Sequence, residues 1–253
     1  MKLIILTQDD PFYLPEAIDY FLKTLPKNFK VQSIVLLPQT VSGRKTNFFL
    51  KIFDTFKIFG FWFFLKYTIR YLVQKIFIRK TITKISHEHN LPIYEVYGSI
   101  NNQENVKYIK KFSPDILISI GASQIFKKQI FNLAPCGCLN LHTGLLPRYR
   151  GLMPTFWAML NGENEIGISV FEVDEGIDSG PILIQKTIAI NAETHSAIIK
   201  KTKKIGMDSI IEAIILKSCG DYTTLKNDES KATYFGFPSR KDVKIFLKSG
   251  KRF

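Results

Sequence analysis

The chain is short of cysteine, short of acids and free of any long apolar run. Its three cysteines, Cys136, Cys138 and Cys219, form one C-x-C pair and a singleton in 253 residues. That is neither a disulfide framework nor a zinc-ligand spacing, and it is the usage of a reducing, cytoplasmic chain. The longest greasy stretch, 58–65, contains Gly60 and is bounded by Lys57 and Lys66, so it is too short to span a bilayer as a helix. At the N-terminus, Leu3 to Leu6 is followed at once by Asp9 and Asp10, which excludes an export signal. Internal repeats, linkers and low-complexity segments are absent from the pattern. Apolar residues at 45% and charged residues at 23% are those of a folded globular chain and exclude disorder as a whole-chain description.

The shortage of acids leaves a net charge of +13, and it is unevenly placed. Residues 41–90 and 198–253 are strongly basic, whereas 91–197 holds ten of the 22 acids. A neutral middle between two basic regions suggests chemistry in the middle and anionic partners at the edges. Short runs rich in Ile, Leu and Val at 2–6, 31–37, 116–120, 138–141, 166–171 and 182–184 read as strands. Helical patterns occupy 15–25, 104–112, 124–131 and 154–161, and a longer one covers 194–217 with Gly220 placed to cap it. This alternation predicts an α/β fold with a mostly parallel sheet flanked by helices and active groups at the strand ends. The expected organisation is a catalytic domain over 1–192, then a short C-terminal helix and extended basic tail over 193–253.

One region stands apart. Phe48, Phe49, Ile52, Phe53, Phe56, Phe59, Phe61, Phe63 and Phe64 crowd one stretch, and Lys66, Arg70, Lys75 and Arg79 follow at helical spacing. The insertion at about 48–80 reads as two helices meeting at Gly60. Its aromatic faces either pack on the sheet or meet an anionic membrane surface or a partner.

Chemistry concentrates in Cys138-Leu-Asn140-Leu-His142 and the turn-rich loop after it. Side chains alternate along a strand, so Asn140 and His142 share a face at the strand's end. A second loop, Val173 to Pro181, carries Asp174 and Asp178 between two predicted strands, where a carboxylate can approach the imidazole. Asn-x-His alone is common as a structural hydrogen-bonding pair. Together with Leu145-Leu-Pro147-x-Tyr149-Arg150-Gly151 and Asp174-x-Gly176-x-Asp178-x-Gly180, it resembles the catalytic domain of the folate-dependent formyltransferases, with supporting matches from about Asp115 to Ile190. That family includes methionyl-tRNA formyltransferase, glycinamide ribonucleotide transformylase and the sugar N-formyltransferases.

The resemblance implies a Rossmann-like domain, 10-formyltetrahydrofolate as donor, no metal, and catalysis by Asn140, His142 and Asp178. It implies that Ile120, Gly121, Ala122, Gln124, Ile125, Val173, Asp174 and Gly176 line the pterin slot. Arg148, Tyr149 and Arg150 are expected at the acceptor entrance, where an arginine meets a phosphate. Such chemistry suits these residue types. An amide and an imidazolium can donate to the oxygen that gains charge when an amine attacks a formyl carbon, and a carboxylate can hold the imidazolium and relay a proton. His87 and His89 read as solvated.

The acceptor stays open at this level. Thr7-Gln8-Asp9-Asp10-Pro11 follows the first strand where a glycine-rich phosphate loop would serve a ribonucleotide acceptor, and two carboxylates repel a phosphate. A small amine-bearing metabolite such as an amino-sugar nucleotide is the first expectation. The basic charge keeps tRNA as an alternative partner. Hydrolysis of formyltetrahydrofolate, or an inactive folate-binding or membrane-docking protein, completes the alternatives.

Overall fold

The computed structural model describes residues 1–38, 48–78 and 80–253, without the side chains of 48–52 and 54. Arg79 and the side chains of Phe48, Phe49 and Ile52, which belong to the Phe-rich basic reading, lie outside the described residues. In chain order the elements are β1 (Lys2–Gln8), α1 (Leu14–Thr24), β2 (Lys30–Leu37), α2 (Phe48–Phe59), α3 (Phe61–Val73) with a π-helical turn (Gln74–Ile78), α4 (Ile82–Glu88) and β3 (Ile93–Glu95). They continue with α5 (Gln103–Lys110), β4 (Ile116–Ile120), α6 (Lys128–Phe131), β5 (Cys138–His142), β6 (Arg150–Gly151), α7 (Pro154–Leu160) and β7 (Glu165–Glu172). The last are β8 (Ile182–Ala189), α8 (His195–Cys219), β9 (Tyr234–Phe235) and α9 (Arg240–Lys248).

Seven strands form one sheet in the order β3-β2-β1-β4-β5-β7-β8. The first five run parallel, while β7 is antiparallel to β5 and β8 to β7. Alternation along the strands divides the core into two layers. Leu3, Ile5, Leu139 and Leu141 pack under α1, α4 and α8, whereas Ile4, Leu6, Leu117 and Cys138 pack with Ile109, Ile130 and Phe131 on the other face. Helix α8 starts where the Thr194 side chain accepts the Ala197 N–H and stops at Gly220, whose φ of 75° is the left-handed cap that glycine adopts without strain.

Three expectations need correction. The helix expected over 124–131 is confined to α6, because Gln124 and Asn101 tie the preceding residues to neighbouring loops: Gln124 bonds Gly98 and Ile100, and Asn101 accepts the Lys127 N–H. The C-terminal tail is not extended throughout. A reciprocal Ser239–Asp242 capping box opens α9, which buries Val243 and Phe246. His89 is not solvated but bonds Asp19 Oδ1 at 3.0 Å. Burial alone would raise the Asp19 carboxyl; hydrogen bonds from His89, Lys23 and Lys80 outweigh it and hold it well below the usual carboxylate range.

Among the described residues the aromatic insertion packs chiefly on the C-terminal segment. Phe59 and Phe63 pack against Phe253, and Phe59 also meets Phe237, so α2 and α3 are anchored on the C-terminal residues. Phe253 continues into a cluster with Phe156, Phe246 and His195. Burial there pushes the His195 imidazole down to about 4. The unfolded chain, with a value near 6.5, then binds a proton that the native state refuses, so stability falls as pH drops between 6.5 and 4. His195 alone accounts for a loss of about 3 kcal/mol across that window. Urea unfolding at several pH values checks this, and His195→Phe should flatten the dependence. Asp19 acts separately, below its ordinary value near 3.8.

Candidate active site

The sheet's carboxyl end carries the site. β5 delivers Asn140 and His142, paired in register with Phe171 and Ser169 of β7, and the Asp178 loop joins β7 to β8. The imidazole is buried and has both nitrogens assigned. Nε2 lies 2.7 Å from the Tyr149 carbonyl and Nδ1 lies 3.5 Å from Asp178 Oδ2. A carbonyl only accepts, so Nε2 carries a proton and donates it, which leaves Nδ1 as the nitrogen that gains or loses a proton. Asp178 Oδ2 also accepts the Gly151 N–H at 2.8 Å. The side-chain amide of half-buried Asn140 makes no hydrogen bond among the described residues, so its donors remain open for a ligand.

The two loops that complete the site are fixed from several sides. Ser169 Oγ donates to the Gly144 carbonyl and Gln185 Nε2 to the Leu146 carbonyl, beside the cis Leu146–Pro147 bond. A Cβ at Gly144 would stand 2.6 Å from His142 Nε2, so the absence of a side chain there makes room for the imidazole. Asp178 itself has φ of 50°, in the left-handed region. Asn227 holds it there, donating from Nδ2 to both the Asp178 and Gly180 carbonyls at 2.9 Å. A Cβ at Gly180 would lie 1.7 Å from the Glu172 carbonyl oxygen, so this close crossing of the chain requires glycine.

The structure thus brings together Asn140, His142 and Asp178. Of the residues expected around the pterin slot, Gly121 takes φ of 64° against Leu14, Ala122 and Val173 pack with the core, and Ile120 is buried in β4. Gln124 is engaged with Gly98 and Ile100, Ile125 is exposed, and Asp174 accepts from Gly176 N–H and Ser179 Oγ within its own turn.

The entrance residues differ from expectation. Arg148 pairs with Glu163, and the Tyr149 hydroxyl donates to the same carboxylate. Arg150 is a correction: it is 0% exposed, and its guanidinium donates to Glu229, Tyr234 and Asn227, so it does not face an acceptor. It binds the tail instead. β9 pairs with β6 through Arg150 and Gly151, and Thr233 Oγ1 accepts the Tyr149 N–H. Asn227, Glu229, Thr233 and Tyr234 therefore belong to the support of the site, and no local pattern marked them.

A cavity of about 620 Å³ opens at the same end of the sheet, between the first turns of α1 and the N-terminal half of α8. Tyr13, Glu16 and Tyr20 wall one side and Lys200, Lys201, Lys203 and Lys204 the other. Lys201 is paired with Glu193, whereas Lys200, Lys203 and Lys204 have no ion pair among the described residues. Burial lowers the Lys203 ammonium, although the nearby Asp10 carboxylate partly opposes the shift, and an anionic ligand would offset more of the cost. After β1, Asp10 Oδ1 accepts the Phe12 and Tyr13 N–H groups, so a carboxylate already occupies the donors that a phosphate loop would offer.

Comparison with known proteins gives a consistent picture. A family model described as Formyl transferase matches residues 76–214. A methionyl-tRNA formyltransferase of Kosmotoga olearia is 35% identical over 180 residues, covering 70% of this chain and 58% of that protein. The chain spans little more than half the length of the curated relatives it matches. Among solved structures, a sugar N-formyltransferase from a Shewanella species superposes with a TM-score of 0.61 at 17% identity, over 94% of this chain and 77% of that one. An N-formyltransferase from Helicobacter canadensis, in complex with folinic acid and dTDP-3-aminofucose, gives 0.58 at 18% identity, over 96% and 72%.

Proposed function

This chain belongs to the formyl transferase family, and from that premise we propose that it moves the formyl group of 10-formyltetrahydrofolate to a primary amine of a small phosphorylated metabolite, such as an amino-sugar nucleotide. The observation that carries the reading is the Asn140 amide, open to a ligand, beside a His142–Asp178 pair 3.5 Å apart. The donor supplies an activated formyl carbon. An amine attacks that carbon, a C–N bond forms, the bond to N10 breaks, and one proton passes from the amine to N10.

Asn140 donates to the formyl oxygen as it gains negative charge, a contact worth about 2.7–4 kcal/mol of barrier when preorganised. His142 takes the amine proton at Nδ1, because Nε2 is held by the Tyr149 carbonyl. One nitrogen cannot both donate to the oxyanion and exchange a proton with Asp178, so the oxyanion falls to Asn140 and the proton to His142. Asp178 stabilises the imidazolium and keeps its ring in place.

The acceptor reading rests on the lysine-lined cavity, whose volume suits a nucleotide-sized ligand and whose Lys200, Lys203 and Lys204, without an ion pair among the described residues, outnumber the Glu16 carboxylate and suit phosphates. Methionyl-tRNA is the second reading, favoured by the curated relatives. A labelled-formyl assay offering amino-sugar nucleotides and charged initiator tRNA in parallel decides between them. Formylation of tRNA with a steep salt dependence would overturn the small-acceptor reading. Transfer to neither, with no binding of 5-formyltetrahydrofolate in calorimetry, would overturn the enzyme reading. Under the small-acceptor reading, Lys203→Glu raises the acceptor KM by about tenfold or more while changing kcat little, since a lost charge-assisted contact weakens binding rather than the chemical step.

A further inference from the structure

The outer surface of the helical insertion is built against the rule for a water-facing helix. A surface helix turns its polar residues outward, and one that is apolar all round is normally buried. α3 is apolar on both sides, and none of its residues is fully buried. Its inner side is occupied: Phe63 packs on Phe59 and Phe253, Tyr67 meets Phe12, and the Arg70 guanidinium lies 4.5 Å from the Phe12 ring and donates to the Tyr13 hydroxyl. The outer side carries Trp62, Leu65, Ile69, Leu72 and Ile76, spaced by three or four residues into one stripe, and every one of them is exposed.

Trp62 is 74% exposed and Phe77, just beyond the stripe, 78%. Twelve of the twenty-two exposed large apolar side chains among the described residues lie between 53 and 78, so this is one patch and not the usual scatter. Charge selects what covers it. Lys57, Lys66 and Lys75 stand around the patch without an ion pair among the described residues, and Asp54 is the single acid in 48–78. No helix among the described residues is long and apolar enough to cross a membrane.

We propose that the outer face of α3 and its π-helical turn docks on a lipid bilayer rich in anionic headgroups, with the apolar stripe sunk into the interface and the flanking lysines at headgroup level. Long lysine side chains reach such headgroups while their stems stay with the apolar face. A basic surface is drawn to an anionic leaflet and released by salt. The contact of Arg70 with Tyr13 sets this face at the end of the molecule that holds the lysine-lined cavity.

Flotation of the full chain with liposomes tests the proposal. Protein should rise with vesicles of phosphatidylcholine mixed with an equal amount of phosphatidylglycerol, and rise far less with pure phosphatidylcholine or at high salt. Binding should shift Trp62 emission to the blue, and Trp62→Phe should remove the shift. The double substitution Ile69→Glu with Leu72→Glu, at exposed positions, should lower the floated fraction about tenfold with an unchanged unfolding midpoint. Failure to float with the anionic vesicles at low salt overturns the proposal. So does equal flotation of the double variant. A vesicle-independent dimer that the double variant dissociates would assign the face to a second copy of the chain and also overturn it.

Discussion

Asp178→Asn should lower kcat for formyl transfer by about 10²–10⁴-fold without unfolding the protein, the range expected when a positioned acid–base group is removed. Asparagine has the same shape, and with its Oδ1 in the place of Asp178 Oδ2, which both accepts the Gly151 N–H at 2.8 Å and faces His142 Nδ1, it keeps the Gly151 bond but brings no negative charge. A neutral amide oxygen would then face His142 Nδ1, and Nε2 would keep its bond to the Tyr149 carbonyl. The ring would stay in place but lose the carboxylate charge that stabilises the imidazolium formed when Nδ1 takes the amine proton. His142→Ala should cost a similar factor, and the double variant little more than either single one, because the two residues act as one unit. Asn140→Ala should lower kcat by about 10²–10³-fold, with an additive effect, since it serves a different charge. Steady-state rates with saturating donor check all three. Wild-type turnover in Asp178→Asn or His142→Ala removes the catalytic assignment.

The second large effect is on stability. Arg150→Met should cost about 3 kcal/mol, the low end for breaking a buried ion pair, because Glu229 retains access to water. Arg150 is the largest fully buried side chain among the described residues, and its guanidinium donates to Tyr234 at 2.6 Å and Asn227 Oδ1 at 2.8 Å as well as to Glu229. Methionine fills the volume but leaves Asn227 without the partner that orients it. Asn227 in turn fixes the carbonyls of Asp178 and Gly180, so kcat should fall together with the urea midpoint. Glu229→Gln should destabilise well beyond an ordinary surface substitution, since it leaves a buried cation underpaired. A change within about 0.5 kcal/mol for Arg150→Met would show that the tail is held by β-pairing and aromatic packing instead.

What was legible in the sequence divides by the range of the interactions. β1, β4 and β5 are short Ile- and Leu-rich runs buried on both faces, and such runs announce themselves. β3 spans only Ile93–Glu95, too short for any periodicity, and β8 continues past Ile184 through Gln185, Lys186 and Thr187, where alternation with polar residues hides a strand. The Asn140–His142 pair followed from strand alternation, whereas strand and loop patterns left the choice between Asp174 and Asp178 open and Asp178 came only from the family resemblance. The role of Arg150 could not follow, because its partners Asn227, Glu229 and Tyr234 lie 77–84 residues further on. A basic residue beside a predicted site looks the same whether it faces a ligand or a distant carboxylate. The start of α9 was readable in principle: Ser239-Arg-Lys-Asp242 is a capping box in all but the length of the acid.

The joining of β6 to β9 has a consequence for how the protein comes into being. Polypeptides emerge from the ribosome N-terminus first, and early segments begin to fold before later ones exist. Here the seven-stranded sheet is complete once Ala189 has emerged, but Tyr149, whose carbonyl positions His142, is anchored by Thr233, and the Asp178 loop by Asn227. A nascent chain paused after α8 would hold the sheet with the core face under that helix covered and an unaligned imidazole and carboxylate. Formyl transfer would be withheld from partial chains until residues 227–235 had been added.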